Sequence, residues 1–90
     1  MKFEWDQNKA ASNLSKHGVS FEEAKTAFDD PLYLDFFDPD HSHSEDRYIL
    51  IGQSSMNRLL LVSYIEYDEM VRLISVREAT RRERKDYEEG

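Results

Sequence analysis

"KHGVSFEEA", Lys16 to Ala24, decides how the N-terminal half of this chain folds. It holds a helix stop and a helix start two residues apart. Gly18 supplies the residue that closes a helix in the left-handed conformation. Ser20, with Glu23 three positions on, is a capping-box pair that opens another. Upstream, Asp6 is a good N-cap, so a first helix is predicted to about Lys16, with Ala10, Asn13, Leu14 and His17 on one face. Downstream, "SFEEAKTAF" predicts a second helix that turns Phe21, Ala24 and Phe28 inward and ends at Asp29-Asp30-Pro31. Lys16 and His17 stand just ahead of the break. There they either cap terminal carbonyls or, favoured as cations by the helix dipole, serve a site.

Beyond the corner the pattern changes to strands. "KFEW" reads as a short first strand, and "LYLDFF" as another. The loop "DPDHSHSED" follows, Asp38 to Asp46. "RYILIGQ" and "RLLLVSYIEY" read as strands joined by "SSMN", and "DEM" leads tightly into "VRLISV". The last segment, "REATRRERKDYEEG", is rich in helix formers, with Glu78→Arg82 and Arg84→Glu88 at i, i+4 spacing. The order β-α-α-β-β-β-β-α predicts one α+β domain over residues 1–90. Two N-terminal helices pack on a four- to five-stranded antiparallel sheet, with a C-terminal helix after it.

The chain has 90 residues, 39% of them hydrophobic and 34% charged, enough apolar surface for one small core. The absence of cysteine excludes a disulfide framework and thiolate metal sites. No apolar run approaches the roughly 18 residues of a membrane span, and "MKFEWD" has no signal-peptide core, so a cytoplasmic protein is expected. The net charge of −7 argues against sequence-independent nucleic-acid binding. Its distribution is uneven, however. Acidic residues crowd Ser20 to Asp46, while Arg72, Arg77, Arg81, Arg82, Arg84 and Lys85 cluster near the C-terminus. A local basic surface of this kind can hold a short phosphate-bearing ligand.

Strand periodicity puts Arg72, Ile74 and Val76 on one face and Val71, Leu73, Ser75 and Arg77 on the other. Arg47 stands at its strand's entry, and Tyr64 shares a face with Leu60, Val62 and Glu66. A sheet covered by helices on one side leaves its other face for a phosphodiester, which arginine forks grip well. Read without that role, these are ordinary solvated strand residues. His41 and His43, with Asp38, Asp40, Glu45 and Asp46, match no known metal-ligand spacing, so a flexible acidic loop with no metal is expected. Arg77, Arg81, Arg84 and Lys85 fall on one helix side, which suits an acidic partner.

Three blocks carry a resemblance: "FEWDQNKAASNLSKHGVSFEEA" (3–24), "DRYILIG" (46–52) and "RLISVREATRRERKDYEE" (72–89). Together they are very similar to the BrnT family, small toxins of type II toxin–antitoxin pairs. The resemblance implies a fold like that of RelE-type ribonucleases and metal-independent RNA cleavage that blocks translation, with no cofactor. It also implies a tight complex with a BrnA-like antitoxin, for which a toxin dimer within a heterotetramer is one arrangement, the sequence leaving the oligomeric state open. Operator DNA would be reached only indirectly, through that antitoxin. By motif position, Arg47, Arg72 and Arg77 would bind phosphate or the transition state, and Lys16 and His17 would transfer protons or touch RNA. Arg81, Arg84 and Lys85 would contact antitoxin or RNA. Tyr64 stands where many relatives have histidine, and an adjacent arginine would lower its pKa. Relatives commonly read like H-T-x-R-G at this point. Here "YIEYD" puts Ile65, Tyr67 and Asp68 in place of threonine, arginine and glycine, so weakened catalysis is expected. The alternative implied is an antitoxin-binding module that acts only in operon autoregulation.

Overall fold

The computed structural model describes residues 1–90. Its elements are β1 (Lys2–Glu4), α1 (Gln7–His17), α2 (Phe21–Ala27), β2 (Leu34–Phe37), β3 (Arg47–Gln53), β4 (Leu59–Tyr67), β5 (Met70–Glu78) and α3 (Arg81–Glu89). No helix is long and apolar enough to cross a membrane.

The helix corner follows its local chemistry. Asp6 accepts from the N–H groups of Asn8 and Lys9 and opens α1. Gly18, at φ +70°, closes it by donating its N–H to the Leu14 carbonyl at 2.9 Å. Ser20 Oγ then accepts the Glu23 N–H and opens α2. Only half of that capping box forms. The Glu23 carboxylate turns inward, where Ser54 Oγ donates to it at 2.7 Å and the Arg58 guanidinium grips both of its oxygens. Arg58 also reaches the Gly18 carbonyl at 3.2 Å and Glu78 at 3.6 Å, so one side chain ties the corner to two strands.

Only half of the expected face of α1 docks: Ala10 packs against the main core and Asn13 is buried. Leu14 is 51% exposed and His17 is exposed. The Asn13 Oδ1 accepts the Val76 N–H at 3.0 Å, and its Nδ2 donates to the carbonyls of Val76 (2.9 Å) and Val19 (3.0 Å). The amide thereby acts as a missing strand partner for the free edge of β5, satisfying backbone groups that burial would otherwise orphan.

The five strands run in the order β1-β5-β4-β3-β2. The sheet is mixed rather than wholly antiparallel, because β1 joins β5 in parallel, Phe3 beside Val71. Helices α1 and α2 carry the chain from that edge to the opposite one, where β2 begins. On their side lies the main core, built around Phe21, Ala24, Leu50, Leu60, Val62, Val71, Leu73 and Val76. On the other side α3 covers only one end, where Tyr87 and Ala79 pack on Ile51, Leu59 and Leu61. Tyr87 donates to Asp30 at 2.6 Å and pins that helix.

Two details depart from the periodic reading. Ser63 pairs with Ser75 but Tyr64 pairs with Leu73, so Ile74 is an extra residue in β5, a β-bulge. Strict alternation fails there. Val71, Leu73 and Val76 all face the helices, and Arg72, Ser75 and Arg77 share the opposite face with their ladder partners Ile65, Ser63 and Leu61. Helix α3 starts at Arg81 behind a complete Thr80–Glu83 capping box. Glu78 therefore remains in β5 and pairs with Arg58 rather than Arg82, and Arg84 forms no ion pair with Glu88.

Candidate functional site

The half of the second sheet face that α3 leaves uncovered carries a row across four strands that ends at the residue after β2. Glu4 pairs with Arg72, Arg72 with Ile65, Ile65 with Arg47, and the Asp38 N–H donates to the Arg47 carbonyl at 2.8 Å. Arg47 and Arg72 flank Ile65 two strands apart, a separation of about 10 Å at the usual strand spacing. The hydroxyls of Ser63 and Ser75 lie opposite each other nearby on the same face. The bulge at Ile74 is what brings Arg77 to this face as well.

Each arginine has a carboxylate near it, but the pairings differ in kind. Arg77 forks onto Glu83 with bonds of 2.8 and 2.9 Å. Those bonds hold the Glu83 carboxyl down to about 2 against the opposing effect of burial. Arg72 donates to Glu4 at 3.0 Å, and Tyr67 donates to the same oxygen at 2.5 Å. That bond to Glu4 also pushes the Tyr67 hydroxyl up, so it stays protonated. Arg47 is the least engaged. Glu45 approaches only to 3.9 Å, and the buried Arg47 Nε has no hydrogen-bond partner.

Tyr64 does not belong to this site. It points to the helix side, 4% exposed, stacked on Tyr48 and edge-on to Phe28, with its hydroxyl 3.3 Å from Asp35. Burial first, then the Asp35 charge, pushes its pKa up, opposite to the lowering expected from an adjacent arginine. Even-numbered residues of β4 simply face away from Arg47 and Arg72.

Lys16 and His17 lie at the edge of the fold. With Ile74 and Ser75 they line a shallow groove of about 190 Å³ between α1 and the bulge. Neither side chain bonds a helix carbonyl; the Gly18 N–H takes that of Leu14. On α3, Arg81 and Lys85 line an exposed groove with Arg82, Asp86 and Glu89, and Arg84 lies outside it. Arg77 points instead to the helix's first turn.

The segment from Asp38 to Asp46, expected as a flexible loop, contains a 3₁₀ turn, Pro39–His41. Asp38 is buried and organises it. Oδ1 accepts the Asp40 N–H at 3.2 Å, and Oδ2 lies 2.9 Å from His41 Nδ1. The histidines and carboxylates here do not gather into any group of three or more. Sequence reasoning also missed Arg58, whose partners lie 35 and 40 positions away. For α3 a signal was present, since Thr80 and Glu83 repeat the spacing of Ser20 and Glu23.

A two-helix layer backing a five-stranded mixed sheet, whose other face carries Arg47, Arg72 and Arg77, defines a small α+β domain. A sequence profile described as "Ribonuclease toxin, BrnT, of type II toxin-antitoxin system" matches residues 5–83, and the chain belongs to this family. The fold is similar to that of a crystal structure of the Brucella abortus ribonuclease toxin BrnT. The TM-score is 0.65 at 24% identity, covering 90% of this chain and 99% of that one. No curated protein matches the sequence.

Proposed function

We propose that this toxin cleaves RNA by metal-independent transesterification on the open sheet face, blocks translation in the cytoplasm, and is silenced by a BrnA-like antitoxin. The observation that carries this reading is the row in which Arg47 and Arg72 flank Ile65. Attack of a ribose 2′-hydroxyl on the neighbouring phosphorus builds charge on the equatorial oxygens. Fixed guanidinium donors stabilise that charge more than they stabilise the ground state. Arg77 either joins them when a phosphate displaces Glu83 or fixes the strand–helix junction that supports them. In this reading Lys16 and His17 contact RNA running past the β5 edge, a role supported by the groove they line with Ile74 and Ser75. The α3 cations Arg81 and Lys85, with Arg84, offer an acidic antitoxin a docking surface within a toxin dimer, and operator DNA is met only through that antitoxin.

The test is RNA cleavage and growth inhibition by the wild type and by Arg47→Glu and Arg72→Glu proteins of unchanged melting temperature. Both variants should lose activity, and wild-type cleavage should persist with a chelator present. Full cleavage by either variant would remove the proposed site.

A second reading is favoured by the carboxylates. Glu4 and Glu83 already occupy Arg72 and Arg77, and Tyr67 replaces a cation. A catalytically weakened chain would keep antitoxin binding and operon autoregulation as its work. Growth that is normal without antitoxin, together with intact antitoxin binding, would select it.

A further inference from the structure

We propose that His41, oriented by Asp38, is the general base that takes the 2′-hydroxyl proton beside the phosphate held by Arg47, an assignment that rests on the ribonuclease reading above. The cross-strand row ends at Asp38, the residue after β2, whose N–H donates to the Arg47 carbonyl just beyond the last ladder pair, Phe37 with Tyr48. Residues opposite one another in an antiparallel pair present their side chains on the same face. The turn is also fastened to the Arg47 backbone. Ser42 Oγ accepts the Arg47 N–H at 2.9 Å and donates to the Asp38 carbonyl at 2.5 Å.

Within this frame Asp38 is buried, with its side chain 11% exposed, while the His41 side chain is 68% exposed. The 2.9 Å contact pairs Nδ1 with the carboxylate; when Nδ1–H donates there, Nε2 is the nitrogen left to accept a proton. A buried carboxylate that orients an imidazole also stabilises the imidazolium once the proton arrives. The Arg47 side chain is 29% exposed and Glu45 approaches it only to 3.9 Å, so its guanidinium is the least engaged cation for an anionic phosphate oxygen.

The other candidates are less well placed. His17 is at the opposite edge by Ser75, Tyr64 is on the other face, and Tyr67 is committed to Glu4. His43 is exposed and bonded to nothing.

The step balances without a co-reactant other than water. The O2′ proton passes to His41 Nε2 as the O2′–P bond forms. The P–O5′ bond then breaks, and the leaving oxygen takes a proton from water. The hydroxide so formed is neutralised by the imidazolium proton. A 2′,3′-cyclic phosphate and a 5′-hydroxyl result.

The experiment measures cleavage of an RNA oligonucleotide by the full chain as wild type, His41→Ala and His43→Ala, with melting temperatures recorded for each. His41→Ala should lose on the order of 10²–10⁴ in rate at unchanged stability. Added imidazole should restore part of that rate, and His43→Ala should match the wild type. Full activity in His41→Ala, or a loss that imidazole leaves untouched, overturns the assignment alone. A wild type that cleaves no RNA overturns the ribonuclease reading and the assignment with it.

Discussion

Arg77 and Glu83 are joined by two parallel hydrogen bonds, so the last strand and the helix after it are locked at their junction. The same carboxylate accepts the Thr80 N–H at 2.8 Å, which makes it both the helix cap and the anchor of an arginine on the open face.

The lowered Glu83 pKa sets an acid limit on stability. Its folded value of about 2 lies below the ordinary 4.5, so the pair contributes fully above about pH 4.5 and loses its contribution as pH falls toward 2. Glu83→Gln should cost about 1 kcal/mol at pH 7, since Arg77 is partly exposed. Urea melts across this range should show wild type and variant converging in acid; a constant gap would exclude the pair as its source.

Asn13 should matter more than any apolar residue of α1. Asn13→Ala leaves the buried Val76 N–H and carbonyl without partners, at a cost of roughly 2–4 kcal/mol. Leu14→Ala, at an exposed position, should lower the denaturation midpoint far less. Equal losses would refute the strand-partner role of the amide.

Gly18 is required for its conformation alone. No atom lies within 4 Å of a Cβ built there, so substitution strains only the backbone at φ +70°. Gly18→Val should cost roughly 1 kcal/mol or more and Gly18→Asn distinctly less. The two melting temperatures should therefore separate, and identical values would show a steric rather than a conformational cause.

Asp68 and Glu69 occupy the β4–β5 turn at φ +47° and +64°, where glycine and asparagine are favoured. The double change Asp68→Asn, Glu69→Gly should raise stability by about 1 kcal/mol. A lower melting temperature would mean that the acidic side chains hold the turn by contacts of their own.

Ile65, between Arg47 and Arg72, is the departure best placed to limit the chemistry. Ile65→Thr adds a hydroxyl between the two cations and should raise RNA cleavage while lowering stability by about 1–2 kcal/mol. An unchanged rate in a folded variant would clear Ile65 of blame.

What could be read from the sequence was what local chemistry controls. Asp6, Gly18 and Ser20 act on neighbours within four positions, so the helix corner was legible, as were the three long strands. The bulge was not, because Ile74 is an ordinary strand residue, and only pairing with Ser63 and Tyr64 shows it to be extra. That single residue moved Arg72 and Arg77 from opposite faces to the same one. Tyr64 failed for a related reason: proximity to arginines along the chain does not set the face in a strand. The Arg58–Glu23 contact spans 35 positions, which charge counting along the chain cannot supply, whereas the Asp38–His41 contact is local and its Asp-Pro start was read only as a loop.

The bulge also bears on how such chains change length over time. Removing Ile74 would restore plain alternation while leaving Arg72, Ser75 and Arg77 on the face they already occupy. A deletion inside a sheet ordinarily turns every later side chain to the wrong side. At this position it would not, so β5 contains a place where evolution can add or drop one residue without losing the arginine row. A chain lacking residue 74 should still fold and still present all three cations together.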